Sequence, residues 1–215
     1  MCSGFLYALA TADGLLKDTD STGLVIGADM YSTIMDRADR RTVSLFGDGA
    51  GAVLLGRVPD GYGFRSIKLT TDGGYRELVE VVAGGTRERI TPDAITAGRD
   101  LFRMDGRAVR AYALSAVPKV VAEALSAAAF DVDDMDRVIV HQGNVRLVEM
   151  LAAELGVPMD RVPMTAAEYG NTGAASIPVT LRAAHAERPF ERGERVLLAA
   201  VGGGMTAGAC VLVWH

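Results

Sequence analysis

The sequence predicts an α/β fold built from two similar halves, and three observations support this prediction. Segments with apolar residues at helical spacing alternate with short, continuous apolar runs that are typical of buried strands. Cys2-Ser3-Gly4 precedes a helix, a strand and a glycine-started strand, and the same order recurs after Asn171-Thr172-Gly173. The second copy has further elements ahead of it, whereas the first begins at its helix. We therefore expect an incomplete first half and a complete second half.

The first half is predicted from three segments. Residues 6–17 have apolar side chains at helical spacing, residues 23–28 form a short apolar run, and residues 49–55 form a second, glycine-started strand. Pro59-Asp60-Gly61 is a turn signal and marks the expected boundary. The predicted domains are residues 1–60 and residues 61–215.

The second half is predicted to contain more elements. A strand at 64–71 is followed by a loop-rich segment and by a long amphipathic helical region, in which Pro118 is expected to kink or divide the helix. The helical regions are 99–129, 145–155 and 171–186, and the further strands are 138–140, 195–201 and 207–214.

Composition excludes several classes of function. The chain has 215 residues, of which 49% are hydrophobic, and a formal net charge of −5, which gives no basic surface for nucleic acid. No Cys/His spacing is typical of zinc, so no metal is expected. No apolar run reaches the roughly 18 residues of a membrane span, and only two cysteines occur. We expect a soluble cytoplasmic protein.

Cys2, His141 and Asn171 are the clearest candidates for residues that take part in chemistry. A thiol at a helix N-terminus meets the positive end of the helix dipole, which favours thiolate and predicts a lowered pKa for Cys2. His141 directly follows a short buried strand, a position that is more often structural, and Asn171 is also a good helix N-cap. Cys210 lies within a strand and is predicted to be a small core residue.

Five motifs in order resemble those of the 3-oxoacyl-acyl carrier protein synthase III family. They are Cys2-Ser3-Gly4-Phe5 at the nucleophile, Phe46 to Ala52 (FGDGAGA), His141 to Asn144 (HQGN), Gly170 to Ser176 (GNTGAAS) and Gly202 to Thr206 (GGGMT). The resemblance implies a thiolase-like fold with α-β-α-β-α layers, lacking most of the family's N-terminal half. The glycine-rich run lacks the lysine of a phosphate loop, and we interpret it as close backbone packing.

The resemblance also implies roles for individual residues. Cys2 takes the acyl group as a thioester, and the backbone N–H groups of Cys2 and Gly203 form the oxyanion hole. His141 and Asn171 donate hydrogen bonds to the thioester oxygen of a decarboxylating malonyl group. The remaining implied sites are Arg40 against the coenzyme A adenine, Gly106 and Asn144 along the pantetheine channel, and Arg146 in carrier-protein docking.

Some residues depart from the family's pattern. Gly143 replaces the usual alanine, Arg110 stands where phenylalanine is often found, and Ala153-Glu154 stand where some members have lysines. These departures indicate unusual carrier-protein or acyl specificity.

The predicted function is a decarboxylative Claisen condensation of an acyl-CoA primer with malonyl-acyl carrier protein, in fatty acid or polyketide initiation. No cofactor is expected, since coenzyme A thioesters are the substrates. The chain is expected to act as a homodimer or with a companion N-terminal chain. The alternatives are a related acyltransferase or type III polyketide synthase, and a non-enzymatic fragment or structural subunit of a heteromeric condensing complex.

Overall fold

Helices and strands alternate along the chain, and a computed structural model describes all 215 residues. The α-helices are α1 (Gly4–Leu16), α2 (Arg40–Val43), α3 (Pro92–Thr96), α4 (Gly106–Ala128), α5 (Val145–Leu155), α6 (Ala166–Tyr169) and α7 (Ser176–Glu187). The strands are β1 (Gly23–Asp29), β2 (Gly49–Leu55), β3 (Gly63–Thr71), β4 (Val79–Val81), β5 (Phe102–Met104), β6 (Arg137–Val140), β7 (Arg195–Gly202) and β8 (Thr206–Val213).

The strands form two principal sheets. The larger sheet has the order β3-β8-β7-β6, in which β6 is parallel to β7 and the other pairs are antiparallel. The smaller sheet is the antiparallel pair β1-β2, in register from Gly23 opposite Leu55 to Asp29 opposite Gly49. Strands β4 and β5 form a separate short antiparallel pair.

Helices α1 and α7 form a layer between the two principal sheets, and each of them contacts both sheets. Phe5 and Leu9 of α1 and Ile177 of α7 share one core cluster with Val25 of β1 and Leu198 of β7. Burial of these side chains removes apolar area from water and stabilises the stack by about 25 cal/mol per Å². Helices α4 and α5 cover the opposite face of the larger sheet.

Strand β7 is apolar from Val196 to Val201 because it is covered on both faces. Leu197 and Val201 pack toward α4 and α5, whereas Val196 and Leu198 pack toward α1 and α7. Successive side chains of a strand point to opposite faces, so a strand between two helical layers has no polar face. This explains the continuous apolar run that the sequence showed.

The predicted recurrence of the two halves is present in the structure. Each half has a helix that leads into an antiparallel strand pair, namely α1 with β1-β2 and α7 with β7-β8. The α-β-α-β-α layering is only partly seen, since Leu24, Ile26 and Leu54 on the outer face of β1-β2 are exposed rather than covered by a helix. The division at residue 60 stays a prediction, although one core cluster contains residues from both sides of it.

Two predicted helix starts were wrong, and the helix that Pro118 was expected to kink or divide is not divided. Residues 102–104 form strand β5, so the long helix begins at Gly106, where the Asp105 side chain accepts from the N–H groups of Arg107 and Ala108. Pro118 does not divide α4, because the buried Val117, Val120 and Val121 pack against the sheet around it. The last helix begins at Ser176, since a short 3₁₀ turn occupies Gly173–Ala175.

The loop-rich segment before α4 also contains a short strand, β4, which the sequence did not predict. None of the helices combines the length and the apolar composition that crossing a membrane requires.

Candidate active site

Cys2 lies immediately before α1, one residue ahead of the N-cap Ser3. The segment is fixed by a hydrogen bond of 2.6 Å between the Ser3 and Thr206 hydroxyls. Gly202 approaches it so closely that a Cβ there would lie 2.7 Å from the Ser3 nitrogen and 2.9 Å from the Cys2 nitrogen. The glycine-rich end of β7 therefore packs directly on the backbone of the nucleophile segment.

The Cys2 thiol is enclosed beside an aromatic cluster. Its Sγ lies 3.6 Å from the hydroxyl of Tyr31, which follows β1, and both residues are buried. The Tyr31 ring packs on Phe46 and Phe102, with centroid distances of 4.6 Å and 5.6 Å.

The prediction of a lowered thiol pKa is wrong for this structure. Burial raises the pKa of the Cys2 thiol above its ordinary value, because a buried thiolate loses its hydration. The hydrogen bond with Tyr31 lowers the same pKa, but by less than burial raises it. Burial raises the pKa of Tyr31 as well, which keeps its hydroxyl protonated and able to donate.

His141 follows the carboxyl end of β6, where its N–H donates to the Ala199 carbonyl at 2.8 Å. The ring Nδ1 lies 2.7 Å from the hydroxyl of Ser176, and Nε2 contacts no hydrogen-bonding atom of the protein. Burial lowers the pKa of His141 to about 4, so its imidazole is neutral at pH 7. A neutral ring is what the predicted donor role requires.

Gln142 fixes the backbone around the histidine. Its side-chain oxygen accepts from the N–H groups of Thr165 and Ala166, at 2.9 Å and 3.0 Å. Its side-chain nitrogen donates to the Val140 carbonyl at 2.9 Å. The fully buried amide thus joins the end of β6 to the segment that leads to Asn171.

Asn171 precedes α7 and pairs with the other half of the molecule. Its N–H donates to the Leu45 carbonyl at 2.8 Å, and its carbonyl accepts from the Gly47 N–H at 3.0 Å. A Cβ at Gly47 would lie 2.1 Å from the Tyr169 carbonyl oxygen, so only glycine allows this approach. The prediction of close backbone packing in the glycine-rich run is therefore confirmed there.

The side chain of Asn171 has a defined orientation. Its oxygen accepts from the N–H of Gly173 at 3.0 Å, which leaves the amide NH₂ group without an acceptor in the protein. The residue is buried and lines the same cavity as Cys2 and His141. A ligand in that cavity can accept from the Asn171 amide and, when the His141 proton is on Nε2, from the His141 ring.

This cavity has a volume of about 300 Å³ and brings together most of the predicted site residues. The predicted residues that line it are Cys2, Gly106, His141, Asn144, Arg146, Asn171 and Gly203. Asn144 also caps α5, where its side-chain oxygen accepts from the Leu147 N–H at 2.9 Å. Arg40 is exposed at the start of α2 and does not line the cavity, so its adenine contact stays a prediction.

Three other cavities are larger, but none of them is lined by Cys2, His141 or Asn171. One of these has a volume of about 620 Å³. It lies between α1 and the ends of the two sheets, and Leu9, Leu55, Phe64 and Trp214 are among its lining residues. The smaller cavity is therefore the candidate active site.

Sequence reasoning missed Tyr31 and Ser176. Ser176 is the last residue of the GNTGAAS motif, so the sequence could have indicated it. The only sequence signal for Tyr31 was its position after the end of a strand. Cys210, by contrast, was correctly predicted as a core residue and is fully buried in β8.

Two layers of sheet around paired central helices, with Cys2 and Asn171 ahead of those helices, define a thiolase-like fold. The model of 3-oxoacyl-[acyl-carrier-protein (ACP)] synthase III matches residues 1–73, and the model of its C-terminal part matches residues 125–214. The chain belongs to the 3-oxoacyl-[acyl-carrier-protein] synthase III family.

Among curated proteins, acetoacetyl CoA synthase NphT7 of Streptomyces sp. (strain CL190) is 43% identical over 216 residues, which are 100% of this chain and 66% of that protein. Beta-ketoacyl-[acyl-carrier-protein] synthase III of Roseiflexus castenholzii is 38% identical, over 99% of this chain and 65% of that protein. The solved synthase III of Thermus thermophilus superposes with a TM-score of 0.90 at 36% identity, over 100% of this chain and 66% of that one.

The chain thus spans about two thirds of the length of these relatives, namely 66% and 65% of the curated proteins. None of the comparisons supports a companion N-terminal chain.

Proposed function

We propose that the protein catalyses a decarboxylative Claisen condensation, in which an acyl-CoA primer and a malonyl thioester give a 3-oxoacyl thioester. The single observation that supports this most is the convergence of Cys2, His141 and Asn171 on one cavity. A thiol nucleophile and two neutral side-chain donors are the groups that such a reaction needs.

In the first half-reaction, the Cys2 sulfur attacks the carbonyl carbon of the primer. A new S–C bond forms, the bond to the coenzyme A sulfur breaks, and the proton of the Cys2 thiol leaves with coenzyme A. The N–H groups of Cys2 and Gly203 stabilise the tetrahedral oxyanion in this proposal. Close packing of Gly202 on the Cys2 backbone supports the juxtaposition of these two N–H groups.

In the second half-reaction, the malonyl group loses carbon dioxide and its electron pair passes into an enolate. The negative charge collects on the thioester oxygen, which accepts hydrogen bonds from His141 and Asn171. The enolate carbon attacks the acyl carbon on Cys2, a C–C bond forms, and the Cys2 sulfur is expelled as a thiolate. This thiolate takes a proton from solvent to regenerate the thiol. Because the donors are neutral, they stabilise this charge without giving up a proton.

We propose malonyl-acyl carrier protein as the extender, with Arg146, an exposed residue that lines the cavity, in docking of the carrier. Arg40 contacting adenine, Gly106 and Asn144 along the pantetheine arm, a homodimeric assembly and a cytoplasmic location belong to the same proposal. The 3-oxoacyl product is proposed to enter fatty acid or polyketide synthesis.

A second candidate has the same chemistry with malonyl-CoA as the extender and acetoacetyl-CoA as a product. The 43% identity to an acetoacetyl CoA synthase favours it. Ala153-Glu154 stand where some members of the family have lysines for carrier-protein docking, and this departure agrees with it. Parallel assays with malonyl-CoA and malonyl-acyl carrier protein at equal concentration would separate the two candidates by their kcat/KM values.

The first test is intact-mass spectrometry of the protein after incubation with acetyl-CoA, isobutyryl-CoA and longer acyl-CoA thioesters. We expect an acyl adduct that disappears in Cys2→Ala and persists in Cys210→Ala, since Cys210 is buried in the core. An adduct that persists in Cys2→Ala would contradict the proposal.

The second test separates the half-reactions. His141→Ala and Asn171→Ala should still acquire the acyl adduct but release carbon dioxide from the malonyl thioester roughly 100-fold more slowly. His185→Ala, which removes an exposed histidine outside the cavity, is the control. Full decarboxylation by either cavity variant would exclude the assigned roles.

A further inference from the structure

The Nδ1 atom of His141 lies 2.7 Å from the hydroxyl oxygen of Ser176. Ser176 is the first residue of α7 and is 1% exposed, and His141 is 4% exposed. The contact is therefore shielded from water, and either atom could be the donor on distance alone. Which of them donates decides which ring nitrogen of His141 carries the proton.

The surroundings of Ser176 favour the serine as the donor. The hydroxyl group has one hydrogen, and Nδ1 is its one hydrogen-bonding partner in the protein. If the imidazole donated through Nδ1, the hydroxyl hydrogen would have no acceptor, and a buried donor without a partner costs roughly 1–3 kcal/mol. If the serine donates, every hydrogen at the contact is used.

Neighbouring hydrogen bonds hold the serine in place. The Thr180 hydroxyl donates to the Ser176 carbonyl at 2.7 Å, and it lies 2.6 Å from the Thr165 hydroxyl. Thr165 is in turn tied to Gln142, the residue after His141, through its N–H. The hydrogen bonds that hold Ser176 therefore lead, through Thr165, to the residue next to His141.

We propose that Ser176 is a positioning residue that holds His141 in the tautomer with the proton on Nε2, directed at the bound thioester. This inference rests on the proposed function for the role of the histidine, but it adds a residue and a tautomer to that role. In the other tautomer, an Nε2 lone pair would face the enolate oxygen and repel it, leaving Asn171 as the one side-chain donor.

The tautomer can be measured without substrate by ¹⁵N NMR of histidine-labelled protein. The chain has three histidines, and the variants His185→Gln and His215→Gln assign the ring signals of His141 by elimination. We expect the wild-type protein to show a protonated Nε2 and an unprotonated, hydrogen-bonded Nδ1. In Ser176→Ala the two tautomers should exchange, and the signals should move toward their averaged positions.

Kinetics give the second readout. Ser176→Ala should lower the rate of malonyl decarboxylation by roughly tenfold to a hundredfold, while acylation of Cys2 and KM change little. Ser176→Cys, which keeps a weak donor of similar size, should recover part of the rate and of the wild-type ring signals. Ser176→Cys also tests the role of the hydroxyl group if Ser176→Ala does not fold.

Ser66→Ala is the matched control, because it removes a hydroxyl that donates to the Ala124 carbonyl at 2.6 Å, outside the candidate active site. It should leave both the ring signals and decarboxylation unchanged. A wild-type spectrum with the proton on Nδ1, or full decarboxylation by Ser176→Ala, would overturn the inference. If the wild-type protein decarboxylates no malonyl thioester, the proposed function fails, whereas the NMR result still decides the tautomer.

Discussion

The hydroxyl of Tyr31 lies 3.6 Å from the Sγ of Cys2, and it is the one side-chain hydroxyl within hydrogen-bonding distance of the proposed nucleophile. Burial opposes ionisation of this thiol, and the hydrogen bond with Tyr31 favours it. The contact joins the end of β1 to the start of α1 and makes the reactivity of the thiol depend on both.

Tyr31→Phe should raise the pKa of the Cys2 thiol further, because the thiolate loses its hydrogen-bond donor. A hydrogen bond to a charged group contributes roughly 1.5–3 kcal/mol, so alkylation of Cys2 by iodoacetamide at neutral pH should slow by about tenfold. The measurement is the alkylation rate as a function of pH. Tyr62→Phe, remote from the thiol, should react as the wild type does, and faster alkylation of Tyr31→Phe would contradict the assignment.

Acidification should destabilise the protein through His141. Its pKa is about 4 in the folded state, against an ordinary value of 6.5, so the unfolded chain binds a proton that the folded chain excludes. The associated stability is fully present above pH 6.5, falls as the pH decreases toward 4, and amounts to about 3 kcal/mol.

The check is urea unfolding of the wild type and of His141→Gln between about pH 4 and pH 7.5, a range that covers the change in protonation. The variant should lose part of the acid sensitivity, whereas His185→Gln, exposed on α7, should retain it. Equal pH dependence in the wild type and in His141→Gln would show that burial of the histidine does not set the effect.

Gly202→Ala should prevent acylation of Cys2. The new Cβ would lie 2.7 Å from the Ser3 nitrogen, so the nucleophile segment must move. Gly14→Ala is the matched control, because no atom lies within 4 Å of its added Cβ and the position is in α1. It should raise the free energy of unfolding by about 0.5–1 kcal/mol and leave acylation unchanged.

Intact-mass spectrometry after incubation with acetyl-CoA measures acylation of both glycine variants, and thermal unfolding measures their stability. An adduct on Gly202→Ala at the wild-type rate would refute the proposed contact between the β7 end and the nucleophile segment.

Asp29→Ala should weaken the connection between the two halves. The Asp29 carboxylate, at the end of β1, accepts from the Ala174 N–H in the turn that follows Asn171. Its loss should lower the free energy of unfolding by roughly 1–3 kcal/mol and slow decarboxylation more than acylation. Asp29→Asn keeps an acceptor oxygen and should lose less stability than Asp29→Ala. Urea unfolding measures the free energy of unfolding of both variants. Equal losses in the two variants would indicate that the hydrogen bond is not responsible.

Much of the fold was predictable because its elements have local signals. The helix 145–155 and the strands around residues 23–28 and 195–201 were placed within one or two residues, since their apolar periodicity is long and uninterrupted. The start of α4 was misplaced, because residues 102–104 pair with β4 through contacts that no local pattern contains. Of the two outcomes expected at Pro118, division of the helix was wrong, because the packing of its neighbours outweighs its missing N–H.

The motifs alone predicted Cys2, His141 and Asn171 as the site residues, because each stands at the end of a strand or ahead of a central helix in a recognisable sequence. The sequence by itself therefore determined the fold class and the recurrence of the two halves, and it placed Cys2, His141 and Asn171 together as the predicted site residues. Only the tertiary structure decided their electrostatics, because burial depends on residues distant in the chain. The enclosure that raises the pKa of Cys2, the placement of Tyr31 against its sulfur and the pairing of Ser176 with His141 all arise where the two halves pack together.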